Sequence, residues 1–138
     1  MHVNRRTIRI EWGDCDPAGI VYFPRYIEYG DICTVHLFES ALGVTKPQML
    51  KKFAMAGIPM VDLSSKFMIP SVFGDDVVVE SRIEEFGRTS FNVHHRFLKG
   101  EDLAVEIREK RVWTIYDPAN PGRLKSQAIP DEVRTALG

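Results

Sequence analysis

From Pro24 to Leu42 the chain carries Tyr26, Ile27, Tyr29, Ile32, Val35, Leu37, Phe38 and Ala41 with few breakers, while Arg25, Glu28, Asp31 and Glu39 make only a partial polar edge. A helix that is apolar on more than one side has to be covered. Gly43 is placed to end it, and Glu28 and Asp31 lie near its positive end, where acidic side chains are favourable without any catalytic duty. The cover comes from period-two segments. Ile8, Ile10 and Trp12 alternate with Thr7, Arg9 and Glu11 ahead of the helix, and Val61, Leu63, Ser65, Phe67 and Ile69 alternate with Met60, Asp62, Ser64, Lys66 and Met68 after it. Val77, Val79 and Ile83 follow, then a turn at Gly87 and Arg88, then Phe91, Val93, His95 and Phe97, then Leu103, Val105 and Ile107 in a strand expected to reach about Tyr116. Pro47 to Ala56 reads as a short second helix, Leu124 to Ile129 as an edge strand and Pro130 to Leu137 as a terminal helix. The sum is an α+β fold, an antiparallel sheet wrapped around a long central helix. Consecutive hairpins cover such a helix on one face only, which leaves the other sheet face and the edges bare. At least a homodimer joining two sheets is expected.

The 138 residues, 44% hydrophobic and 27% charged, suit one domain spanning residues 1–138 with one core. A net charge of -1 gives no general attraction to nucleic acid, so an anionic ligand needs a local basic patch. The start MHVNRR lacks a signal-peptide apolar region, and no apolar run approaches the roughly 20 residues that cross a bilayer. Cys15 and Cys33 have no metal or disulfide spacing, as suits the cytoplasm.

Between the first strand and the helix lies Gly13-Asp14-Cys15-Asp16-Pro17-Ala18-Gly19-Ile20-Val21-Tyr22-Phe23-Pro24. Pro17 and Gly19 make a compact loop that carries carboxylates, and Pro24 suits the first helical position because its missing N–H would be unpaired there anyway. Phe23 then becomes the N-cap, with an amide that the helix does not use and that points where the macrodipole is positive. One segment thus offers a carboxylate and a donor for an oxyanion. An aspartate beside Pro and Gly also makes Asx turns and caps helices with no chemistry attached.

DCDPAGIVYFPRY resembles the active-site segment of the 4-hydroxybenzoyl-CoA thioesterases and related acyl-CoA thioesterases of the hotdog fold, and the likeness in length and element order covers nearly the whole chain. The resemblance implies an acyl-CoA substrate, hydrolysis to free acid and CoA, and a homodimer or homotetramer. It implies that Asp16 is the catalytic carboxylate, as base or nucleophile, and that the Phe23 amide polarises the thioester carbonyl. It implies that Arg88, Thr89 and Ser90 hold CoA phosphates, as their residue types allow. Ile58, Pro59 and Met60 lead into the strand that borders the acyl group in relatives. Their apolar character accepts aryl or aliphatic chains alike and offers nothing to a 4-hydroxyl. Hydratases of the same fold place a His a few residues after their Asp; here Pro, Ala, Gly, Ile and Val follow Asp16. No metal or organic cofactor is implied, since hydrolysis needs water, a carboxylate and oxyanion stabilisation.

Other readings of the loop are weaker. A calcium loop lacks its third oxygen ligand at Ala18 and has Arg25 in place of the bidentate Glu. A magnesium-dependent Asp-x-Asp phosphatase of the haloacid dehalogenase type would match the loop and Gly74-Asp75-Asp76, but needs a parallel sheet where this sequence reads as hairpins. Carboxylates on both sides of Cys15 disfavour its thiolate. His36 and His95 read as core or interface histidines. A non-catalytic acyl or CoA-binding module is the remaining alternative.

Overall fold

The computed structural model describes residues 1–138. Strands β1 (Asn4–Arg9), β2 (Met60–Phe67), β3 (Asp76–Phe86), β4 (Ser90–Lys99) and β5 (Asp102–Val112) form one antiparallel sheet in the order β1-β3-β4-β5-β2. A second ribbon pairs β6 (Thr114–Tyr116) with β7 (Leu124–Ser126), and the helices are α1 (Pro24–Leu42), α2 (Lys46–Lys52) and α3 (Asp131–Leu137). The antiparallel sheet excludes the phosphatase reading, whose chemistry sits on a parallel one. No helix is long and apolar enough to cross a membrane.

α1 has the bounds its sequence indicates, with Pro24 at its first position and Gly43 as a left-handed cap whose N–H donates to the Glu39 carbonyl at 2.9 Å. It buries Tyr26, Tyr29, Cys33, Leu37 and Phe38 against the inner sheet face, where Val77, Val79, Val93, Phe97 and Ile107 are fully buried. Its opposite side is less covered than expected: Ile32 is 45% exposed, because the sheet lies along one flank of the helix only.

Several expected elements end early, among them the edge strand read over Leu124 to Ile129, which stops at Ser126. Trp12 is not on the buried face of β1; it stands in a 3-10 turn (Trp12–Asp14), 75% exposed, because pairing with β3 stops at Arg9 opposite Asp76 and Ile10 is the last inward residue. α2 starts one residue before Pro47, on a capping box of Thr45 and Gln48, and stops at Lys52, where the chain turns through Ala54 at positive φ. The strand expected to reach Tyr116 breaks at Trp113, fully buried in the core, and the chain continues in the β6–β7 ribbon.

The outer sheet face is not an apolar surface awaiting a cover. One row across the five strands reads Arg5, Glu80, Arg96, Glu106, Lys66, alternating in charge. Glu80 binds both Arg5 at 2.8 Å and Arg96 at 2.9 Å, and Arg108 pairs with Glu84 and Glu106. Such cross-strand pairs suit a solvated face. The sheet has two edges, β1 and β2, and that of β2 carries exposed apolar residues. Val61, the extra residue of a bulge between Met60 and Asp62, is 58% exposed, and Phe67 at the other end is 48% exposed.

At Gly30, α1 packs tightly on side chains of β4 and β5. A Cβ there would lie 3.3 Å from Glu109 Oε2 and 3.4 Å from His95 Cδ2, on side chains tied down through Glu109 Oε1 and the two His95 nitrogens. Gly30→Ala therefore lowers stability by about 1–2 kcal/mol although alanine is the better helix former, and thermal melts measure it. A rise in melting temperature would show that the contact yields.

Candidate active site

The loop before α1 is a short hairpin closed by a bridge between Cys15 and Val21. The Asp16 N–H donates to the Ile20 carbonyl at 2.8 Å and the Gly19 N–H to the Asp16 carbonyl at 2.9 Å, with Gly19 at φ 84°, a conformation in which a Cβ would be strained. Asp16 Oδ1 accepts the Ala18 N–H at 2.8 Å, an Asx turn, which fixes the carboxylate and leaves its second oxygen without a bond. One oxygen of the side chain is thus tied to the loop, and the other is not.

The loop is anchored at its far side. Val21 N–H donates to the Ser71 carbonyl at 3.0 Å, and Ile20 bridges to Val72. That second segment is pinned by Lys99, whose ammonium donates to the Pro70 carbonyl and pairs with Asp75, each at 3.0 Å. The Val72 amide and Lys99 together hold the Asp75 carboxyl below its ordinary range. Asp14 is structural: it accepts the Glu11 N–H at 3.3 Å and lies 3.7 Å from Arg25. Burial, and then the nearness of the Asp14 carboxylate, push the Tyr29 phenol above its ordinary range.

Phe23 is the N-cap of α1. Its carbonyl accepts the Tyr26 N–H at 3.1 Å, while its own amide donates to no backbone carbonyl. Beside it lies an apolar cavity of about 330 Å³, walled by Ile20, Phe23, Tyr26, Phe67, Met68 and Val105 among others. Ile20 and Val21 bring the Asp16 loop to that wall, and Phe67, at the end of the edge strand β2, lines the cavity with its ring 6.4 Å from that of Phe23. A larger cleft of about 390 Å³, between β1 and the C-terminal half of α1, has no apolar lining and contains none of these groups.

The other sequence-assigned residues lie elsewhere in the same chain. The loop docks just before β3 begins, whereas Arg88, Thr89 and Ser90 follow its end, beyond eleven residues of strand or roughly 35 Å. The carbonyls of Gly87, Arg88 and Thr89 are bound by Arg134, Ile129 and Trp113, which fixes the turn with Arg88 exposed. Ile58 is buried among Phe38 and Met49 as a core residue, and Pro59 and Met60, half-buried, sit at the opposite end of β2 from Phe67. One chain does not bring them to Asp16.

Near Ile58 the sequence reading missed a polar cluster under α1. Arg111, 5% exposed, donates to Asp31 Oδ1 at 2.7 Å, to the Ile58 carbonyl at 3.0 Å and to Glu109 Oε1 at 2.9 Å. Thr34 Oγ1 donates to Glu109 Oε1 at 2.6 Å, so at 3.0 Å it accepts from His95 Nε2, whose Nδ1 meets Ser81 Oγ at 2.7 Å. Burial alone would raise the Glu109 carboxyl; the hydrogen bonds and charges of His95 and Arg111 outweigh it and hold the group at about 2. The sequence signal was available: after Val105 and Ile107, the next inward positions of β5 are Glu109 and Arg111.

Comparison with known proteins agrees with this architecture. The thioesterase-like superfamily matches residues 10–137. The 4-hydroxybenzoyl-CoA thioesterase of Pseudomonas sp. strain CBS-3 is 32% identical over 127 residues, 88% of each chain. Its solved structure superimposes with a TM-score of 0.88 over 99% of both chains. A mutant 4-hydroxybenzoyl CoA thioesterase complexed with 4-hydroxybenzoyl CoA gives 0.91 at 26% identity over the whole of both chains, and a gentisyl-coenzyme A thioesterase gives 0.84 at 28% identity over 98% of this chain and 100% of that one. With its five-stranded antiparallel sheet against one long helix, the chain belongs to the thioesterase-like superfamily and is an acyl-CoA thioesterase of the hotdog fold.

Proposed function

We propose that the enzyme hydrolyses the CoA thioester of a hydroxylated aromatic acid, with Asp16 acting on the carbonyl that the Phe23 amide polarises. The observation that carries this is the unbonded Asp16 oxygen and the unbonded Phe23 amide, both on the segment that walls the apolar cavity. As the carbonyl is attacked, negative charge develops on its oxygen, and a fixed amide at the positive end of a long helix stabilises it without reorganising. Asp16 serves either as base towards water or as nucleophile. The preference for a hydroxylated aryl group follows the relatives named for 4-hydroxybenzoyl and gentisyl thioesters.

The remaining residues join the site through a second copy. If two β2 edges pair antiparallel about a two-fold axis, the Met60 end of one strand meets the Phe67 end of the other. The partner subunit's Met60 then borders the acyl cavity, and the partner subunit's Asp31, tied by Arg111 to the segment ahead of β2, supplies the acceptor for an acyl hydroxyl. The hairpin turn with the partner subunit's Arg88, Thr89 and Ser90 comes to the same end of the joined sheet, within reach of the CoA phosphates.

Thiol release from a panel of acyl-CoAs tests the reading, with 4-hydroxybenzoyl-CoA expected among the best substrates. Binding without release would make the protein a carrier. Mixing Asp16→Asn with Asp31→Ala, each weak alone on that substrate, restores about a quarter of wild-type activity after subunit exchange, since one intact site reforms in each mixed dimer. No recovery on exchange would place both residues of a site in one chain.

A further inference from the structure

The hairpin that carries Asp16 has little structure of its own, a single bridge and an Asx turn, and it docks on the body of the fold at Ser71 and Val72. Its place is therefore set by the segment Pro70–Asp75 beneath it. That segment lies outside the strands and is anchored at its two ends: the Ile69 N–H donates to the Ala104 carbonyl at 3.0 Å, and Gly74 and Asp75 exchange backbone bonds with Ile10. Between the anchors lie the two residues that bear the hairpin. Val72 to Asp75 forms a turn with Gly74 at φ 88°, closed by the Asp75 N–H on the Val72 carbonyl at 3.1 Å and by Asp75 Oδ2, which accepts the Val72 N–H at 2.9 Å. Lys99, the last residue of β4, completes the enclosure from the sheet. Its ammonium donates to the Pro70 carbonyl and to Asp75 Oδ2, each at 3.0 Å, so Ser71, whose carbonyl takes the Val21 N–H, is held between two fixed neighbours.

We propose that Lys99 is a positioning residue for the reaction: its ammonium fixes the Ser71 carbonyl and, through it, the place at which the hairpin presents Asp16 to the thioester. This rests on the reading of Asp16 as the reacting carboxylate. A partly exposed pair such as Lys99 and Asp75 contributes little to stability, whereas a reacting group displaced by about 1 Å loses up to about 10²-fold in rate. Loss of the ammonium should therefore register in turnover and hardly at all in the melting temperature.

Lys99→Met keeps an unbranched stem and removes the ammonium. It is expected to lower kcat for the fastest thioester of the acyl-CoA panel about 10-fold with KM changed less than about threefold, and Lys99→Arg, which can still bond both acceptors, to restore most of that rate. Placed in Asp16→Asn, the same Lys99→Met change is expected to cost less than about twofold, because the group it positions is already gone. A full 10-fold loss in that background, a loss carried by KM alone, or no rescue by Lys99→Arg would overturn the proposal. Should Lys99→Met fail to fold, Asp75→Asn decides by the same comparison, since it keeps an oxygen for the Val72 N–H and removes the charge that faces Lys99. A wild-type rate in Lys99→Met beside a collapsed Asp16→Asn overturns this inference alone; full turnover in Asp16→Asn overturns the reading of Asp16 and this inference with it.

Discussion

Asp16→Asn lowers kcat for the best acyl-CoA substrate by about 10²- to 10⁴-fold, the scale expected for a positioned acid or base. The substitution is nearly isosteric and keeps an oxygen for the Ala18 N–H, so the Asx turn and the Cys15–Val21 bridge survive. The melting temperature and KM should therefore move little while turnover collapses, the pattern of a group acting only in the transition state. Asp14→Asn serves as the comparison. Its carboxylate braces Glu11 and Arg25 and faces no cavity, so it should cost less activity. Full turnover in Asp16→Asn, or a larger loss in Asp14→Asn, would remove Asp16 from the chemistry.

The largest effect on stability is expected at Glu109. Glu109→Gln leaves the Arg111 guanidinium buried with Asp31 as its remaining carboxylate partner and costs about 3 kcal/mol, or roughly 10 °C in melting temperature for a chain of this size. The same group governs acid behaviour. Its carboxyl sits at about 2 in the fold against 4.5 as the ordinary value, so the folded pKa is depressed. Its contribution is complete above about pH 4.5 and disappears as pH falls towards 2. Denaturant melts between these limits should show wild type losing stability on acidification more steeply than Glu109→Gln. Parallel pH profiles for the two proteins would mean that Glu109 carries no such linkage.

Those two side chains differ in how far the sequence displayed them. The Asp16 loop is local: its hairpin, its Asx turn and the Phe23 cap all form among residues within ten positions of one another, so composition and spacing suffice to read them. α1 was legible to the residue for the same reason, with Pro24 and Gly43 as its punctuation. The polar cluster around Glu109 is non-local. Asp31 and Arg111 are eighty positions apart and meet only because β5 lies beneath α1, so Asp31 read as an ordinary acidic residue on a helix. Trp12 and the strand end at Trp113 failed differently: Trp12 continues an apolar alternation past the last pair of β1, and at Trp113 the chain leaves the main sheet for the β6–β7 ribbon, so pairing, not periodicity, sets where each strand ends. The separation of Arg88 and Met60 from Asp16 could not be read at all, because strand order across the sheet is not written in the local pattern.

If two β2 edges pair as proposed, the bulge at Val61 has a consequence for chemistry as well as for packing. Two antiparallel edges can be joined in several alignments, and a slip of two residues keeps every side chain on its own face while carrying it about 7 Å along the seam. That distance is comparable to the length of an aromatic ring with its substituent. The alignment of the two strands would therefore act as a ruler, setting how far the acceptor stands from the thioester carbonyl. An irregular residue that permits one alignment only would make the gauge the same at both ends of the seam, and relatives that move or lose the bulge would be free to measure a different acid.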